Sequence, residues 1–560
     1  MSNYQKISSF IWSIADDVLR GLFKPHEYGQ VILPFTVLRR LDTILEPNKD
    51  EVITLYNNWK NKTDNPTPII LNKINKKFYN YSKFDLQRLT QDHQNIKKNF
   101  QNYLNGYSDN IFDIIENFQI DKHIEKLNKN NRLFLLIEKF ASMDLSPEAI
   151  SNHDMGQIFE ELLRKFSEIS NETSGEHYTP RDVVKLLVAL VFSDGTEKYK
   201  RMPVVSIFDC CCGTGGMLTT SRDWLKDNFN KEIKTFLFGQ ELNPETYAVC
   251  KSEMLITDDD PENIKYGDCL DNDQFKTEKF QFMIANPPYG ESWKTAQKSV
   301  LNEFSTTKSR FKAGLPRISD GQLLFLQHLI SKMDPEGSRV GIVFNGSPLF
   351  TGDAGNGESE IRKWLIENDL IEAIISLPDR LFFNTGIPTY FWILTNKKHN
   401  KRKNKIQILN GVDFYSSLRK NLGDKSKFID DENIKKFINL YNNFKENEYC
   451  KIKNSSFFGY TKVTVEVPKK DKNGKIVKKK DKIVKDNNQK HYERIPLEKN
   501  IEEYLKHEVY PNVPHAIIDF KKNQVGYEFN VIKYFYKHKQ IRSVSEIDKE
   551  IYELEKQNKI

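Results

Sequence analysis

Four short stretches combine residue types and spacing that can do chemistry. The first is Phe208-Asp209-Cys210-Cys211-Cys212-Gly213-Thr214-Gly215-Gly216-Met217-Leu218, which follows a strand pattern and opens a helical one. Its glycines let the backbone turn tightly and approach a ligand with no side chain in the way. No Gly-Lys-Ser/Thr follows it or occurs elsewhere, which disfavours a phosphate-loop nucleotide hydrolase. The second stretch, Phe236 to Glu241, ends another strand in a carboxylate, placed to accept both hydroxyls of a ribose. A third strand ends in Tyr266-Gly267-Asp268, whose carboxylate could take the amino group of an adenine. Together these describe a nucleoside-binding domain that takes either a dinucleotide or S-adenosylmethionine.

The fourth stretch decides between the two. Met283-Ile284-Ala285-Asn286-Pro287-Pro288-Tyr289-Gly290 is an apolar strand ending in Asn-Pro-Pro-Tyr. Two prolines break the strand with fixed φ angles, so the neighbouring carbonyls are free to accept hydrogen bonds. The Asn286 oxygen is a further acceptor, and the Tyr289 ring offers a stacking face. Methylation of an exocyclic amine needs this set. Its nitrogen lone pair is delocalised into the base, and two acceptors on its hydrogens favour a tetrahedral, nucleophilic form. The base must first leave the duplex stack. Cytosine C5 methylation is set aside, because it needs a cysteine nucleophile and no Pro-Cys dipeptide exists. The run Cys210-Cys211-Cys212 lacks the Cys-x-x-Cys spacing of zinc sites and reads as packing, so no metal is expected.

These residues need strands and helices to hold them. Strand patterns fall at Val204–Phe208, Thr235–Phe238, Asn263–Tyr266, Phe280–Ala285, Val340–Phe344, Ile371–Leu377 and Tyr390–Thr395, with helical patterns between most of them. The alternation predicts an α/β fold with a mostly parallel, doubly wound sheet whose ligand sits at the carboxyl ends of the strands. Three parts follow: a helical N-terminal domain over 1–150, a catalytic domain over 151–440, and a mixed C-terminal region over 441–560 ending in a helix. In the first, Leu33, Val37, Leu38 and Leu41 fall at helical spacing with Arg39, Arg40 and Asp42 between them. From Gly156 to Glu168 a clean amphipathic helix buries Ile158, Phe159, Leu162, Leu163 and Phe166, with Glu160–Arg164 and Glu161–Lys165 as i,i+4 pairs on the other face. In the third, Thr461–Val467 alternates like a strand, Asn473-Gly474 signals a two-residue hairpin, and a helix capped by Ser545 carries a stripe of Ile547, Ile551 and Leu554.

Composition narrows the class. The 560 residues are 38% hydrophobic and 12% aromatic, ample for packed cores. No apolar run reaches membrane-span length, and no signal-peptide pattern opens the chain. Six cysteines make no disulfide framework, which fits a reducing cytoplasm. The net charge of +7 is held wholly between Lys469 and Lys490, with ten lysines and three aspartates. From Glu291 to Asp320, six basic residues (Lys294, Lys298, Lys308, Arg310, Lys312, Arg317) against three acids suit either a phosphate-contacting loop or a solvated flexible one.

At these residues the chain resembles the N6-adenine DNA methyltransferases, and more closely the modification (methylation) subunit of type I restriction–modification systems. The resemblance extends to Gly156-Gln-Ile-Phe-Glu-Glu-Leu-Leu163, Gly175-Glu-His-Tyr-Thr-Pro-Arg181, Gly239 to Tyr247, Asn345 to Gly352, Gly357 to Arg362, Phe383 to Ile387 and Val525 to Phe529. It implies a Rossmann-like S-adenosylmethionine-dependent fold. It implies that Gly175, Glu176, His177, Tyr178, Thr179 and Pro180 lie against the cofactor's methionine end. Asp209, Gly213, Thr214, Gly215 and Gly216 would form its loop, Glu241 would hold the ribose and Asp268 the adenine. Asn286, Pro287, Pro288 and Tyr289 would hold the target adenine. It further implies double-stranded DNA as substrate, a separate specificity subunit that binds two copies of this chain, and in some systems a restriction (nuclease/translocase) subunit. The family's proline after the loop acid is here Cys210, which bears on loop geometry. N4-cytosine methylation uses a similar loop, and the subfamily resemblance favours adenine. A protein glutamine methyltransferase and a cofactor-binding scaffold without turnover are the competing readings.

Overall fold

The computed structural model describes residues 3–170, 179–193, 203–229, 232–479, 482–536 and 543–557. Its centre is a nine-stranded sheet. Eight of the strands are β1 (Val204–Asp209), β2 (Lys234–Glu241), β3 (Ile264–Tyr266), β4 (Phe282–Ala285), β5 (Arg339–Asn345), β6 (Ile371–Ser376), β7 (Thr389–Thr395) and β8 (Lys405–Asn410). A small hairpin of β9 (Ser416–Leu422) and β10 (Lys425–Phe428) follows, and β11 (Cys450–Asn454) returns to the sheet as its ninth strand. The order is β11-β8-β6-β7-β5-β4-β1-β2-β3, and only β7 and β11 run against the rest. The seven strands expected from the sequence all form. Because β11 lies in the sheet, that sheet continues past the boundary expected at residue 440.

Alternation along the strands builds a core on each face. On β4, Phe282 and Ile284 join the core of helices Arg181–Phe192, Gly216–Asn228 and Asp431–Asn443. Met283 and Ala285 join that of helices Gln322–Ser331 and Gly357–Glu367. This is the period of two that a sheet covered on both faces requires. Helix Arg181–Phe192 lies so close that a Cβ at Gly341 would clash with Val191.

The N-terminal helices pack around one core, shared with Ala248, Val249 and Leu255 of helix Pro244–Ile256, and helix Gly29–Leu45 runs through it. Arg40 and Asp42, which fall between its apolar residues in the sequence, are buried. Arg40 donates to the Leu145 and Ile150 carbonyls and to Asn152, while Asp42 accepts from the Leu86 amide and the Tyr103 and Tyr107 hydroxyls. Burial pushes the Asp42 carboxyl up to about 6. Through Arg40 this core grips the start of helix Asn152–Ser170, whose apolar stripe of Ile158, Phe159, Leu162, Leu163 and Phe166 packs into it. The expected Glu161–Lys165 pair forms, at 3.7 Å, and the expected Glu160–Arg164 pair does not. Arg164 bonds Glu161, at i,i+3, and Glu160 turns away to Arg181.

At the far end, β12 (Gly459–Pro468) pairs with the strand Lys485–Pro496. The lysine-rich segment extends from this pair. Asn473 and Gly474 lie there in a wider turn, where the Asp471 carboxylate accepts from the Asn473 and Lys475 amides. The terminal helix spans Val544–Gln557 and starts two residues earlier than expected. Ser543 and Glu546 form its cap, the Ser543 amide donating to the Glu546 carboxylate at 2.9 Å.

Candidate cofactor and base site

The sheet order reverses between β1 and β4, so the chain leaves their carboxyl ends in opposite directions and opens a crevice there. The loop Cys210–Gly215 and the turn from Asn286 meet in this crevice, around a cavity of about 470 Å³. The loop folds as its glycines demand: Gly213 and Gly215 take φ of +54° and +83°. Two bonds tie it to the end of β2. The Cys212 amide donates to the Gln240 carbonyl at 3.1 Å, and the Gly213 amide donates to the Glu241 carboxylate at 2.8 Å. The other Glu241 oxygen accepts from the Asn243 amide at 2.8 Å. Asp209 is buried and accepts from the Cys211 amide; burial, with the charge of Glu241, pushes its carboxyl up to about 7. Asp268 accepts from the Leu270 amide at 2.8 Å, and its carboxyl is pushed up by burial.

Asn286 is held from both sides. Its amide donates to the Thr179 hydroxyl at 2.8 Å, and its oxygen accepts from the Tyr289 hydroxyl. That fixes which way the amide points. Tyr289 departs from expectation: its ring does not face the cavity but is 7% exposed, edge-on to Phe382. Burying the ring while pairing its hydroxyl satisfies both halves of the side chain.

Of the residues expected in the site, Thr179, Asp209, Gly213, Thr214, Gly216, Glu241, Asp268, Asn286 and Pro288 line the cavity. Pro180, Gly215 and Pro287 adjoin lining residues in the chain but are not part of the lining themselves. Gly175, Glu176, His177 and Tyr178 lie outside the described residues. Sequence reasoning missed Glu160, Leu242, Leu270, Trp293 and Phe325, which also line the cavity. Leu242 carried a readable signal, being apolar directly after the strand-end acid; it is 61% exposed at the rim. The Trp293 indole donates to the Arg317 carbonyl at 2.9 Å, which anchors the segment after the Asn-Pro-Pro-Tyr turn.

That segment corrects one expectation. Arg310 is not available for phosphate. It is half-buried against Glu303 and donates to the Cys269 and Leu270 carbonyls, so it braces the loop that carries Asp268.

The lining has a one-sided charge. It includes five carboxylates, Glu160, Asp209, Glu241, Asp268 and Glu291, and, among the described residues, no lysine, arginine or histidine. Such a wall repels a pyrophosphate and favours a cation. S-adenosylmethionine, a nucleoside carrying a sulfonium, fits it; a dinucleotide does not.

Comparison with known proteins agrees. Residues 150–487 match the N-6 DNA methylase family and residues 7–140 the HsdM N-terminal domain. The type I restriction enzyme MjaIX methylase subunit of Methanocaldococcus jannaschii is 25% identical over 449 residues, covering 78% of this chain and 77% of its own length. The MjaVII methylase subunit of the same organism is 29% identical, and the match covers 62% of this chain and 58% of that protein. The EcoKI methylase subunit of Escherichia coli K12 is 25% identical, with 52% and 54% covered. The chain thus spans from about half to three quarters of these relatives' lengths. Among solved structures, the type I restriction-modification methyltransferase subunit from Streptococcus thermophilus superposes with a TM-score of 0.64 at 22% identity, covering 81% of this chain and 96% of that one, which shows a shared fold.

Proposed function

The chain belongs to the N-6 DNA methylase family, and from that premise we propose that it is the methylation subunit of a type I restriction–modification complex. It transfers a methyl group from S-adenosylmethionine to N6 of an adenine flipped out of double-stranded DNA. One observation carries this reading: the Asn286–Tyr289 turn and the glycine loop open into one acid-lined cavity at the point where the strand order reverses.

The roles follow from chemistry. Glu241 lines the cavity with each oxygen accepting a backbone amide, and its carboxylate accepts the ribose hydroxyls. Asp268 accepts from the adenine amino group, and Leu242 and Leu270 cover the base. S-adenosylmethionine, when bound, supplies an electrophilic methyl group. Asn286 and the Pro287 carbonyl accept the two hydrogens of the target amine. This draws its lone pair out of the ring and toward the incoming carbon. Thr179 keeps the Asn286 oxygen turned the right way. Incubating the chain and its specificity subunit with radiolabelled cofactor, DNA and protein acceptors tests the reading. Label is expected in DNA as N6-methyladenine; label on protein glutamine, or none, overturns it.

The parts outside the sheet serve partners in this reading. The N-terminal helical domain ends near residue 150, and the region beyond the sheet faces DNA and the specificity subunit, which binds two copies of this chain. A restriction subunit would join that assembly. Among the described residues no helix is long and apolar enough to cross a membrane. We place the complex in the cytoplasm with the DNA it modifies.

Lys469, Lys470, Lys472, Lys475, Lys478 and Lys479 are exposed on the segment extending from β12. Phosphate contacts there predict a salt effect. Deleting the segment between Pro468 and His491 should flatten the slope of log affinity against log salt by about 0.9 for each lysine that meets a phosphate. An unchanged slope would mean that the segment is only solvated.

The terminal helix leaves Ile547, Ile551 and Leu554 exposed rather than buried on its own domain. A narrow stripe of that kind packs against one partner helix. Truncation after Arg542 should impair assembly with the specificity subunit in size-exclusion chromatography, while cofactor binding by the isolated chain stays intact. Normal assembly of the truncated chain would remove this helix from the interface. In this reading base recognition lies in the specificity subunit, so this chain alone should not footprint a defined DNA site.

A further inference from the structure

Glu160 is expected from its spacing to pair with Arg164 in water, and the structure places it elsewhere. Helix Asn152–Ser170 is pinned by its buried stripe and by Arg40 at its start, and this orientation turns Glu160 into the wall of the cavity. Its carboxylate lies 2.9 Å from Nε of Arg181, the first residue of helix Arg181–Phe192. Its Oε1 also lies 2.9 Å from the point a Cβ on Gly216 would occupy, so it overhangs the first residue of helix Gly216–Asn228. Any side chain at 216 would displace it.

The layout of the cavity says what this carboxylate meets. The order β3-β2-β1-β4 sets Asp268 and Glu241 at one end and Asn286 at the other. A ligand with its adenosine on Glu241 and Asp268, and its methyl group toward Asn286, directs its amino-acid arm over the glycine loop and the start of helix Gly216–Asn228. Glu160 and Thr179 form that side of the wall. The arm carries an ammonium, which needs an ionised acceptor. Asp209 is a poor one, being buried and easily protonated. Glu160 lies against the Arg181 guanidinium, and each of its oxygens has a second lone pair beyond that contact.

We propose that Glu160 accepts the α-ammonium of S-adenosylmethionine and so selects ligands that carry an amino-acid arm. Arg181 is its positioning residue. The proposal rests on the cofactor reading above, and the test separates the two. It compares S-adenosylmethionine with 5′-methylthioadenosine, which has the same adenosine but no amino-acid arm. Both are titrated calorimetrically into the full-length chain.

Glu160→Gln should weaken S-adenosylmethionine about 10-fold or more, as expected for losing a charge-assisted hydrogen bond. It should leave 5′-methylthioadenosine within about 2-fold of the unsubstituted chain. Glu160→Asp, which keeps the charge on a shorter arm, should fall between for S-adenosylmethionine and again leave the armless ligand unchanged. Equal weakening of both ligands in both variants would show that Glu160 only supports the loop, and would overturn the proposal. So would an unchanged affinity for S-adenosylmethionine in Glu160→Gln. If the unsubstituted chain binds neither nucleoside, the cofactor reading itself fails, and that result is distinct from either.

Discussion

Replacing Asn286 with alanine is expected to lower the rate of methyl transfer by about 100-fold or more while S-adenosylmethionine still binds. The reason lies in what the side chain holds and what holds it. Its oxygen is aimed by two contacts, the amide on Thr179 and the hydroxyl of Tyr289. An acceptor fixed in this way is worth most when charge develops on the target nitrogen, because no reorganisation is needed at that moment. Alanine removes the acceptor and leaves the Tyr289 hydroxyl without this partner. The groups assigned to adenosine, Glu241 and Asp268, stand at or just past the ends of other strands and keep their backbone partners. The loss should therefore fall on turnover and spare the cofactor dissociation constant. Single-turnover transfer to DNA in the assembled complex, with calorimetry on the same variant, reads both quantities. A near-normal rate would remove Asn286 from the chemistry, and an equal collapse of cofactor binding would make its role structural.

The sheet and the acids of the site were legible because each rests on local pattern. A strand between two cores is almost purely apolar, as in Phe282-Met-Ile-Ala285 or Thr389-Tyr-Phe-Trp-Ile-Leu-Thr395, and such runs stand out. An acid or a Gly-rich turn at the end of such a run marks the edge where ligands bind. The strands that escaped notice are those with weaker demands. β11, Cys-Lys-Ile-Lys-Asn, is an edge strand that buries only Cys450 fully, and its lysines protect the edge. β8 holds a buried Gln407, whose side chain accepts from Arg402 and donates to the Leu440 carbonyl.

The same physics hid Arg40, Arg310 and Glu160. A charged side chain is read as solvated unless its partners are known. The partners here are carbonyls and ions brought from distant segments by tertiary packing, such as Leu145 for Arg40, Leu270 for Arg310 and Arg181 for Glu160. Burial of a charge is tolerated only where such partners complete its hydrogen bonds. Spacing along one helix does not reveal them. Trp293 and Phe325 were missed for a related reason: they become cavity wall only when the segment after Tyr289 folds back beside the glycine loop.

Replacing Glu241 with alanine should act on the other side of the reaction, weakening S-adenosylmethionine by about 10- to 100-fold. Two charge-assisted bonds to the ribose are lost, at roughly 1.5–3 kcal/mol each before water compensates. The structure adds a second consequence. Glu241 also clasps the Gly213 amide, so its carboxylate helps shape the loop as well as read the ligand. A 2′-deoxyribose analogue of the cofactor separates these effects. In the unsubstituted chain the analogue should bind more weakly than the cofactor, having lost one donor to Glu241. In Glu241→Ala the two ligands should bind almost alike, because the acceptor that distinguished them is gone. A loop effect alone predicts the opposite: both ligands weaken by the same factor and the preference for the 2′-hydroxyl persists. Calorimetry with both ligands on the folded variant decides, and an unchanged dissociation constant for the cofactor would remove Glu241 from the site altogether.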